Sequence, residues 1–425
     1  MRFKKYGVFL AQILAPNSIG AHYLSELHQL CELGLIGQEF FFKRYSKLKN
    51  VLIITRNLPP LIGGMERLIW HIVDALHEHF RVIVIGPDGC SSFLPNTLKV
   101  KEIPFNPLWK FLIFSYIYAR KLAKIYRPEI VFCGSGLTAP IGYFVAKLVN
   151  AQKIVYLHGL DVEASDFFYQ RLWPPFFKRM NKILVNSNFT RNLVLSRGVP
   201  DKNIVILHPG VSLPNLDKKE EASNAFRERY GLVNDPIMLY VGRITPRKGL
   251  SIFVEKILPE IAHKYKKAKL VVIGDEPKAA LAKIGGELEK IRKTLELKGL
   301  EDRVLFLGSR PQDHPELSEA YFAADVLVFP VQERPGDNEG FGMVAIEAAA
   351  HGTPTVAFKA GGVTDAVKDG VSGFLVETGD YTIFAKRVVK ILESPKVLDQ
   401  NQMKNFVRHF SWDRFYSTLE KYFLS

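Results

Sequence analysis

Two glutamates, Glu339 and Glu347, stand eight residues apart after an apolar run, with the residues Gly340, Phe341 and Gly342 directly following the first of them. The apolar stretch Met343–Ala350 predicts that the second glutamate lies on a helix. If helical geometry holds throughout, the two carboxylates are separated by about 12 Å. That distance suits one carboxylate at a sugar ring and one at a ribose. A diphosphate would lie between them, because helix N-terminal amides favour phosphate.

A basic segment, Tyr240–Gly249, contains the second group of chemically useful side chains. The pattern places Arg243 at the end of a predicted strand and Lys248 at the start of a predicted helix. Two cations that converge from these positions suit a diphosphate, which gains charge as it leaves. A loop of solvated charges would give the same pattern, so this segment supports a diphosphate site only when it is taken together with the paired glutamates.

Two shorter motifs follow predicted strands in the first half of the chain. Gly63 and Gly64 open the first helix, and the absence of side chains there permits close approach of a ligand to the backbone. His158 follows the predicted strand Ile154–Leu157. A single histidine is more often structural, but its place at the carboxyl edge of a parallel strand favours contact with a ligand.

The elements that must position these residues are apolar, β-branched runs that alternate with amphipathic segments such as 65–79 and 108–126. This alternation predicts βαβ units and an α/β fold with two Rossmann-like, doubly wound domains that face each other across a cleft. The predicted strands are Val51–Arg56, Val82–Gly86, Ile130–Cys133, Ile154–Leu157, Ile183–Asn186, Ile204–Leu207, Ile237–Val241, Leu270–Ile273, Val304–Leu307, Val326–Phe329 and Thr355–Phe358.

The β-α alternation pauses at residues 208–219, where prolines and a glycine lead into a charged stretch. We therefore predict an N-terminal extension at 1–49, a first domain at 50–210, a second domain at 211–405 and a final helical segment at 406–425 that packs back on the first domain. The extension has a basic start and a short apolar stretch, and its role is left open between a surface-lying anchor, a packed helix pair and an over-extended gene start.

Composition restricts the class of protein. A hydrophobic content of 47% and a charged content of 24% are ordinary for globular domains. No apolar run reaches the ~18 residues of a membrane span. The three cysteines, Cys31, Cys90 and Cys133, have no metal-type or redox spacing. This usage is typical of a reducing compartment, and we expect a cytoplasmic protein.

The basic excess is confined to the first half: residues 1–210 hold 26 Lys and Arg against 13 Asp and Glu, whereas residues 211–425 hold 31 against 30. Such a field favours an anionic partner, which could be a membrane surface, an anionic lipid acceptor or nucleic acid. Aromatic and cationic residues interleave at 105–127 and 166–182, as at bilayer interfaces. A generally basic proteome, or aromatics that belong to the core, would explain the same facts.

The motifs together, in this order, resemble the GT-B-fold, family 4 (group 1) retaining glycosyltransferases over residues 50–425. The resemblance implies that Arg243 and Lys248 bind the donor diphosphate, that Glu339 contacts the sugar, and that Glu347 contacts the ribose. His158 would lie near the anomeric carbon. The implied catalytic set is His158, Arg243, Lys248 and Glu339. The implied donor site is Gly63, Gly64, Arg243, Lys248, Ser309, Arg310, Glu339, Gly340, Phe341, Gly342 and Glu347.

The same resemblance implies transfer of a mannose- or glucose-type hexose from a GDP- or UDP-sugar to a lipid-linked or cell-envelope glycan acceptor, with no metal and no cofactor. We expect an enzyme that is peripheral on the inner face of the cytoplasmic membrane and does not bind nucleic acid. Three alternatives stay open at this point: a GT-B nucleotide-sugar epimerase, a non-catalytic module that binds sugar or nucleic acid, and a degenerate, non-catalytic partner, which the intact motif set disfavours. The module would leave the paired glutamates and the Arg243/Lys248 pair without a purpose.

Overall fold

The computed structural model describes residues 48–164, 166–277, 286–311, 314–394 and 397–424. Most of the predicted N-terminal extension, including Cys31, therefore lies outside the described residues. Cys90 and Cys133 are buried, free thiols. None of the helices in the described ranges is long and apolar enough to cross a membrane.

Within the described ranges, thirteen strands form a seven-stranded sheet, in the order β3-β2-β1-β4-β5-β6-β7, and a six-stranded sheet, in the order β10-β9-β8-β11-β12-β13. The pairs are parallel, and the six-stranded order is that of a Rossmann sheet. The strands are β1 Asn50–Ile54, β2 Arg81–Pro87, β3 Lys99–Ile103, β4 Ile130–Cys133, β5 Gln152–Leu157, β6 Lys182–Val185, β7 Ile204–Ile206, β8 Ile237–Val241, β9 Lys269–Ile273, β10 Val304–Gly308, β11 Val326–Phe329, β12 Thr355–Phe358 and β13 Gly373–Val376.

Helices connect most successive strands, as is usual for parallel pairing, whereas a 3-10 turn at Cys90–Phe93 lies between β2 and β3. The helices are α1 Gly64–His79, α2 Leu108–Tyr126, α3 Ala139–Val149, α4 Leu160–Glu163, α5 Phe167–Leu172, α6 Pro174–Phe177, α7 Asn188–Ser196, α8 Lys219–Arg229, α9 Leu250–Ile252, α10 Leu258–Lys264, α11 Glu287–Lys298, α12 Pro315–Ala323, α13 Met343–Ala350, α14 Val363–Ala366, α15 Tyr381–Glu393, α16 Gln400–Arg408 and α17 Trp412–Leu424. A π-helical turn at Phe253–Ile257 joins α9 to α10.

The predicted α/β fold with two doubly wound sheets is confirmed, with two strands that the sequence analysis missed. Strand β3 has the sequence KVKEI and a mostly part-exposed surface, so it lacks the apolar run of a buried parallel strand. Strand β13 begins at Gly373 and is only four residues long. Both lie at the edge of their sheet, but β13, with the sequence GFLV, is apolar and mostly buried, so its shortness accounts for that miss.

The C-terminal segment is two helices, α16 and α17, where a single helical segment was predicted. The chain turns between them, and there Val211 N donates to Phe410 O at 2.7 Å. Val211 also forms a parallel bridge with Ser411. The turn therefore pairs through its backbone with the segment after β7. A continuous helix could not form this pairing.

The chain divides into two compact units. The first holds the described residues up to Val155 together with Arg179–Asn181 and the described residues from Glu420 onward. The second holds Tyr156–Lys178 and Lys182–Leu419, so it includes His158 and all the predicted donor residues except Gly63 and Gly64. The domain boundary placed after residue 210 stays a prediction.

Candidate functional site

The carboxyl ends of β8, β9 and β10 are tied together through their backbones. Gly242 N donates to Ile273 O at 3.0 Å, and Gly274 N donates to Gly308 O at 3.0 Å. A Cβ added at Gly274 would lie 1.8 Å from the carbonyl oxygen of Gly242. Only glycine permits this approach, which brings the loops after all three strands to one edge of the sheet.

The basic segment after β8 is held by a second close approach. Gly249 has φ +72°, and a Cβ there would lie 1.8 Å from Pro330 O, directly after β11. Gln332 N also donates to Arg247 O at 2.8 Å. Lys248 is thereby fixed against the loop that leads to Glu339. Arg243, at the start of the segment, is exposed.

Four charged side chains, three of them largely buried, meet in a group that we call the Glu339 cluster, formed by Arg247, Lys248, Asp337 and Glu339. Glu339 forms ion pairs with Arg247 and with Lys248, the latter at 2.9 Å between Nζ and Oε2. Arg247 Nε also pairs with Asp337 Oδ1 at 3.0 Å. The side chains of Arg247 and Lys248 are 12% exposed and that of Glu339 is 13% exposed, so these charges are largely removed from water.

Burial and pairing act in opposite directions on these groups. Burial alone would raise the pKa of Glu339, but Arg247 and Lys248 outweigh it, and the pKa falls to about 2. Burial lowers the pKa of Lys248 despite its pairing with Glu339. Burial also opposes the charge on Arg247, yet Glu339 and Asp337 raise the pKa of this guanidinium above its usual value. Glu339 is therefore ionised at neutral pH and can only accept hydrogen bonds.

The structure brings His158 and the Glu339 loop together. A Cβ added at Gly340 would lie 2.2 Å from His158 O, so the two main chains are in direct contact. Asn186 Nδ2 donates to the same carbonyl at 3.2 Å. Asp161 Oδ2 accepts from His158 N at 3.1 Å. The imidazole lies 4.9 Å from the ring of Tyr156 and is almost fully buried.

Helix α13 starts where the sequence analysis placed it, at Met343. Gly342 caps it with φ +100°, and Phe341 is buried and stacks on His208 at 5.4 Å. Because Glu339 precedes the helix, the separation of about 12 Å predicted for continuous helix does not apply. Glu347 lies within α13, where its buried carboxylate accepts a hydrogen bond from the Tyr321 hydroxyl at 3.0 Å.

The predicted base-side residues, Ser309 and Arg310, follow β10. Arg310 forms an ion pair with Glu316 and donates to Leu307 O at 2.5 Å. Glu316 also accepts a hydrogen bond from the Tyr230 hydroxyl. The Arg310 guanidinium is thus engaged with α12, and its contact with a base stays a prediction.

The first glycine of the pair in the first unit has a local structural role. The backbone of Gly63 is extended, with φ 166°. A Cβ at Gly63 would lie 2.4 Å from Glu66 Oε2. Glu66 is buried and accepts from Asn57 Nδ2 at 3.0 Å. The turn therefore makes room for a buried carboxylate on α1, and contact of Gly63 or Gly64 with a ligand stays a prediction.

Sequence reasoning missed Arg247 and Asp337 as members of the site. Arg247 stands beside Lys248 in the basic segment, but two neighbouring cations gave no reason to choose the first. Asp337 lies two residues before Glu339 in a polar loop, where acidic residues are usual.

Among the described residues, no group of three or more His, Cys, Asp and Glu side chains is arranged to hold a metal ion. The arrangement does offer an ionised carboxylate for hydroxyl groups and two cations for an anion. An anion that reaches Lys248 must compete with Glu339, or be accompanied by a shift of that carboxylate onto a new donor.

Comparison with known proteins gives matches over most of the chain. The sequence profile of Glycosyl transferases group 1 matches residues 235–394, and that of Glycosyltransferase Family 4 matches residues 62–214. A GDP-mannose-dependent alpha-(1-6)-phosphatidylinositol monomannoside mannosyltransferase from Mycolicibacterium smegmatis is 26% identical over 81% of this chain and 90% of its own length. A D-inositol 3-phosphate glycosyltransferase from Geodermatophilus obscurus is 34% identical, but over 53% of this chain and 48% of its own length.

Two solved structures show the same fold. Anabaena Alr3699/HepE in complex with UDP has a TM-score of 0.73 at 19% identity, over 88% of this chain and 99% of that one. Sucrose-phosphate synthase from Thermosynechococcus elongatus has a TM-score of 0.72 at 22% identity, over 88% and 98% of the two chains. These likenesses confirm the predicted GT-B architecture.

Proposed function

The chain belongs to the group 1, family 4 glycosyltransferases, and from that premise we propose that it moves a mannose- or glucose-type hexose from a nucleoside diphosphate sugar to a lipid-linked or cell-envelope glycan acceptor. We further propose that transfer retains the anomeric configuration and needs no metal. The observation that carries the proposal is the Glu339 cluster, in which a carboxylate ionised at neutral pH and two buried cations adjoin the His158 main chain.

In this proposal the cluster is the donor site. Lys248 and the exposed Arg243 bind the diphosphate, and the carboxylate of Glu339 accepts hydrogen bonds from sugar hydroxyls. Glu347, held in place by the Tyr321 hydroxyl, accepts from the ribose. The amides of Gly340–Gly342 at the start of α13 face the phosphates, where the helix dipole favours negative charge. Ser309 and Arg310 lie beside the base.

The reaction breaks the bond between the anomeric carbon and the phosphate oxygen, and it forms a bond from that carbon to the acceptor hydroxyl on the same face. The acceptor proton passes to the departing phosphate oxygen, so no covalent enzyme intermediate is needed. Lys248 and Arg243 stabilise the charge that develops on the nucleoside diphosphate. His158 lies near the anomeric carbon, where the positive charge of the oxocarbenium-like state appears.

The acceptor proposal has two supports. A relative that aligns over most of this chain is named for transfer of mannose from GDP-mannose to a phosphatidylinositol mannoside, which is an anionic lipid. Residues 1–210 carry twice as many basic as acidic side chains. We therefore propose GDP-mannose as the first donor to test, and an enzyme that works in the cytoplasm on the inner face of the membrane.

The first experiment is thermal stabilisation of the wild type, Glu347→Ala and Lys248→Ala by GDP, UDP, GDP-mannose and UDP-glucose. A ligand present at 100 times its Kd should stabilise the fold by about 2.7 kcal/mol. We expect one of the two nucleotide series to stabilise the wild type and both variants to lose the response. A folded wild type that responds to no nucleotide would remove the support for this donor site.

Two further measurements test the finer claims. The anomeric coupling constant of the isolated product, measured by NMR, reports retention or inversion, and inversion would refute the same-face mechanism. Activity in excess EDTA reports metal dependence, and its loss would refute transfer without a metal. Incubation of donor alone, followed by analysis for an epimer, separates transfer from epimerisation.

A further inference from the structure

Helix α5 exposes a pair of neighbouring phenylalanines. Phe167 is 74% exposed and Phe168 is 70% exposed, and Leu172 at the end of the helix is 53% exposed. The two phenyl rings contact each other edge to face at 5.7 Å. Single exposed apolar residues are ordinary, but adjoining aromatic rings form a patch that favours binding to another apolar surface.

This helix is attached to the segment that carries His158. The hydroxyl of Tyr169 donates to Asp161 O at 2.9 Å, and Gln170 Nε2 donates to Val162 O at 3.0 Å. Asp161 in turn accepts from the amide of His158. The exposed rings of α5 are therefore presented by the same short stretch that leads to the proposed reaction centre.

A second link joins this stretch to the Glu339 loop. Asn338 Nδ2 donates to both carboxylate oxygens of Glu163, at 3.1 and 3.0 Å. Glu163 ends helix α4, which lies between His158 and α5. A contact that holds α5 in place therefore also acts on α4, which is hydrogen-bonded both to His158 and to Asn338 in the loop before Glu339.

The charges around the rings select one kind of partner. Residues 166–179 contain three exposed basic residues, Arg171, Lys178 and Arg179, against one acidic residue, Asp166, whose carboxylate caps α5 by accepting from Tyr169 N at 2.8 Å. Two copies of this patch packed about a two-fold axis would place like charges together, which disfavours self-association. Aromatic rings beside cations suit the interface of a bilayer with anionic headgroups, where rings enter the headgroup level and cations bind phosphate.

We propose that Phe167 and Phe168 insert into the interface of an anionic lipid bilayer and hold the His158 segment beside acceptors carried by that membrane. This inference rests on the proposed function, because it assigns the membrane contact of that same site to α5. It also makes α5 a determinant of the choice between membrane-borne and free acceptors. Soluble acceptor analogues do not need the contact.

The test compares the wild type with Phe167→Ser/Phe168→Ser in sedimentation with vesicles of phosphatidylcholine, with and without phosphatidylglycerol. We expect the wild type to bind the phosphatidylglycerol vesicles, and binding to weaken in high salt. Burial of an aromatic ring supports about a tenfold change in partitioning for each phenylalanine removed. Transfer to acceptors in vesicles should fall with binding, and transfer to a detergent-free soluble analogue should not.

Two controls isolate α5. Leu297→Ser removes an equally exposed apolar side chain, 78% exposed, from α11 and should leave vesicle binding unchanged. Trp109→Ser/Ile113→Ser removes exposed residues of α2, the other exposed aromatic and basic helix. Loss of binding in the α2 variant with full binding in the α5 variant would overturn the proposal, as would a wild type that ignores anionic vesicles or sediments without lipid.

The nucleotide response separates this inference from the proposed function. Thermal stabilisation by GDP or UDP is measured on the same preparations, and we expect the α5 variant to keep the wild-type shift. A wild type that binds vesicles but no nucleotide would refute the donor site alone. A wild type that binds nucleotide, with vesicle binding equal in both proteins, would refute the role of α5 alone.

Discussion

Arg247 and Arg243 lie four residues apart and have opposite surroundings. Arg247 is buried and its planar guanidinium joins two carboxylates, Glu339 and Asp337, in a geometry that a lysine ammonium does not reproduce. Arg243 is exposed, and its carbonyl accepts a hydrogen bond from the buried Tyr240 hydroxyl at 3.0 Å. We therefore propose that Arg247 positions Glu339 and that Arg243 contacts the substrate.

Substitution separates the two roles. Arg247→Met should lower the free energy of unfolding by about 3–5 kcal/mol, because it leaves a buried carboxylate with one partner fewer. Arg243→Met, at an exposed position, should change it by less than about 0.5 kcal/mol and yet abolish stabilisation by nucleotide. Urea unfolding and thermal shift on both variants check this. Equal stability of the two variants would contradict the positioning role of Arg247.

The low pKa of Glu339 predicts a pH dependence of stability. The folded-state pKa, about 2, lies below the ordinary value of 4.5, so the unfolded chain takes up this proton first as the pH falls. The stabilisation is complete above the ordinary pKa and declines between pH 4.5 and pH 2. From pH 7 to pH 3 the loss from this one group is about 2 kcal/mol.

Urea unfolding of the wild type and Glu339→Gln at both pH values measures that loss. The glutamine variant has no such group, so its free energy of unfolding should fall less over the same interval, whatever its stability at pH 7. Parallel declines in the two proteins would show that Glu339 is not held ionised by Arg247 and Lys248.

At the scale of the elements, glycines set how closely the loops at the sheet edge approach. Gly249 and Gly370 share the same backbone angle, φ +72°, but a Cβ at Gly249 would meet Pro330 O at 1.8 Å, whereas at Gly370 it would meet nothing within 4 Å. Gly370→Ala should therefore cost about 1 kcal/mol, from backbone strain alone. Gly249→Ala should cost at least about 2 kcal/mol more, because the loop after β11 must move.

The same movement would displace Lys248 from Glu339. We therefore expect Gly249→Ala to weaken the response to nucleotide and Gly370→Ala to preserve it, in thermal shift measurements with GDP and UDP. If both alanine variants behave alike, the close approach of these two loops does not position the site.

The elements also show what the sequence could predict. The apolar runs that became β4, β8, β11 and β12 were predicted to the residue, because strands buried on both faces have an unmistakable composition. Helix α13 was likewise predicted with its bounds. Edge strand β3 was missed because its alternating lysines carry no such signal. The pattern of apolar residues reports how deeply a strand is buried, and β3 at the sheet edge is only partly buried.

The candidate site was likewise only partly predictable from the sequence pattern. Spacing identified Lys248, Glu339 and Glu347, but Arg247 and Asp337 were missed. Their importance depends on the distance in space between the loop after β8 and the loop after β11. Arg247 and Glu339, which pair there, are 92 residues apart in the sequence. A contact of that separation is set by the strand order of the sheet, and a one-dimensional pattern does not contain it. The contact of Gly340 with His158 was unpredictable for the same reason.

For the whole molecule, helix α17 is an element whose residues are divided between the two compact units, as those of strand β5 also are. Residues up to Leu419 belong to the second unit, and those from Glu420 belong to the first. Within the first unit, Phe423 packs against Phe132 at 5.8 Å and Phe80 at 6.1 Å between ring centroids. Glu420 pairs with His79 at 2.8 Å.

This division predicts cooperative unfolding of the wild type. The chain passes between the units at four points and one helix is common to both, so we expect a single thermal transition.

Phe423→Ala removes a ring that is 1% exposed and should cost about 3–5 kcal/mol. That loss falls on the first unit, so the transition should split, and only the later part should shift with nucleotide, because Lys248, Glu339 and Glu347 belong to the second unit. Lys421→Ala, an exposed neighbour, is the matched control and should unfold like the wild type. Calorimetry that gives one unsplit transition, with the same Tm for both variants, would show that α17 does not couple the two units.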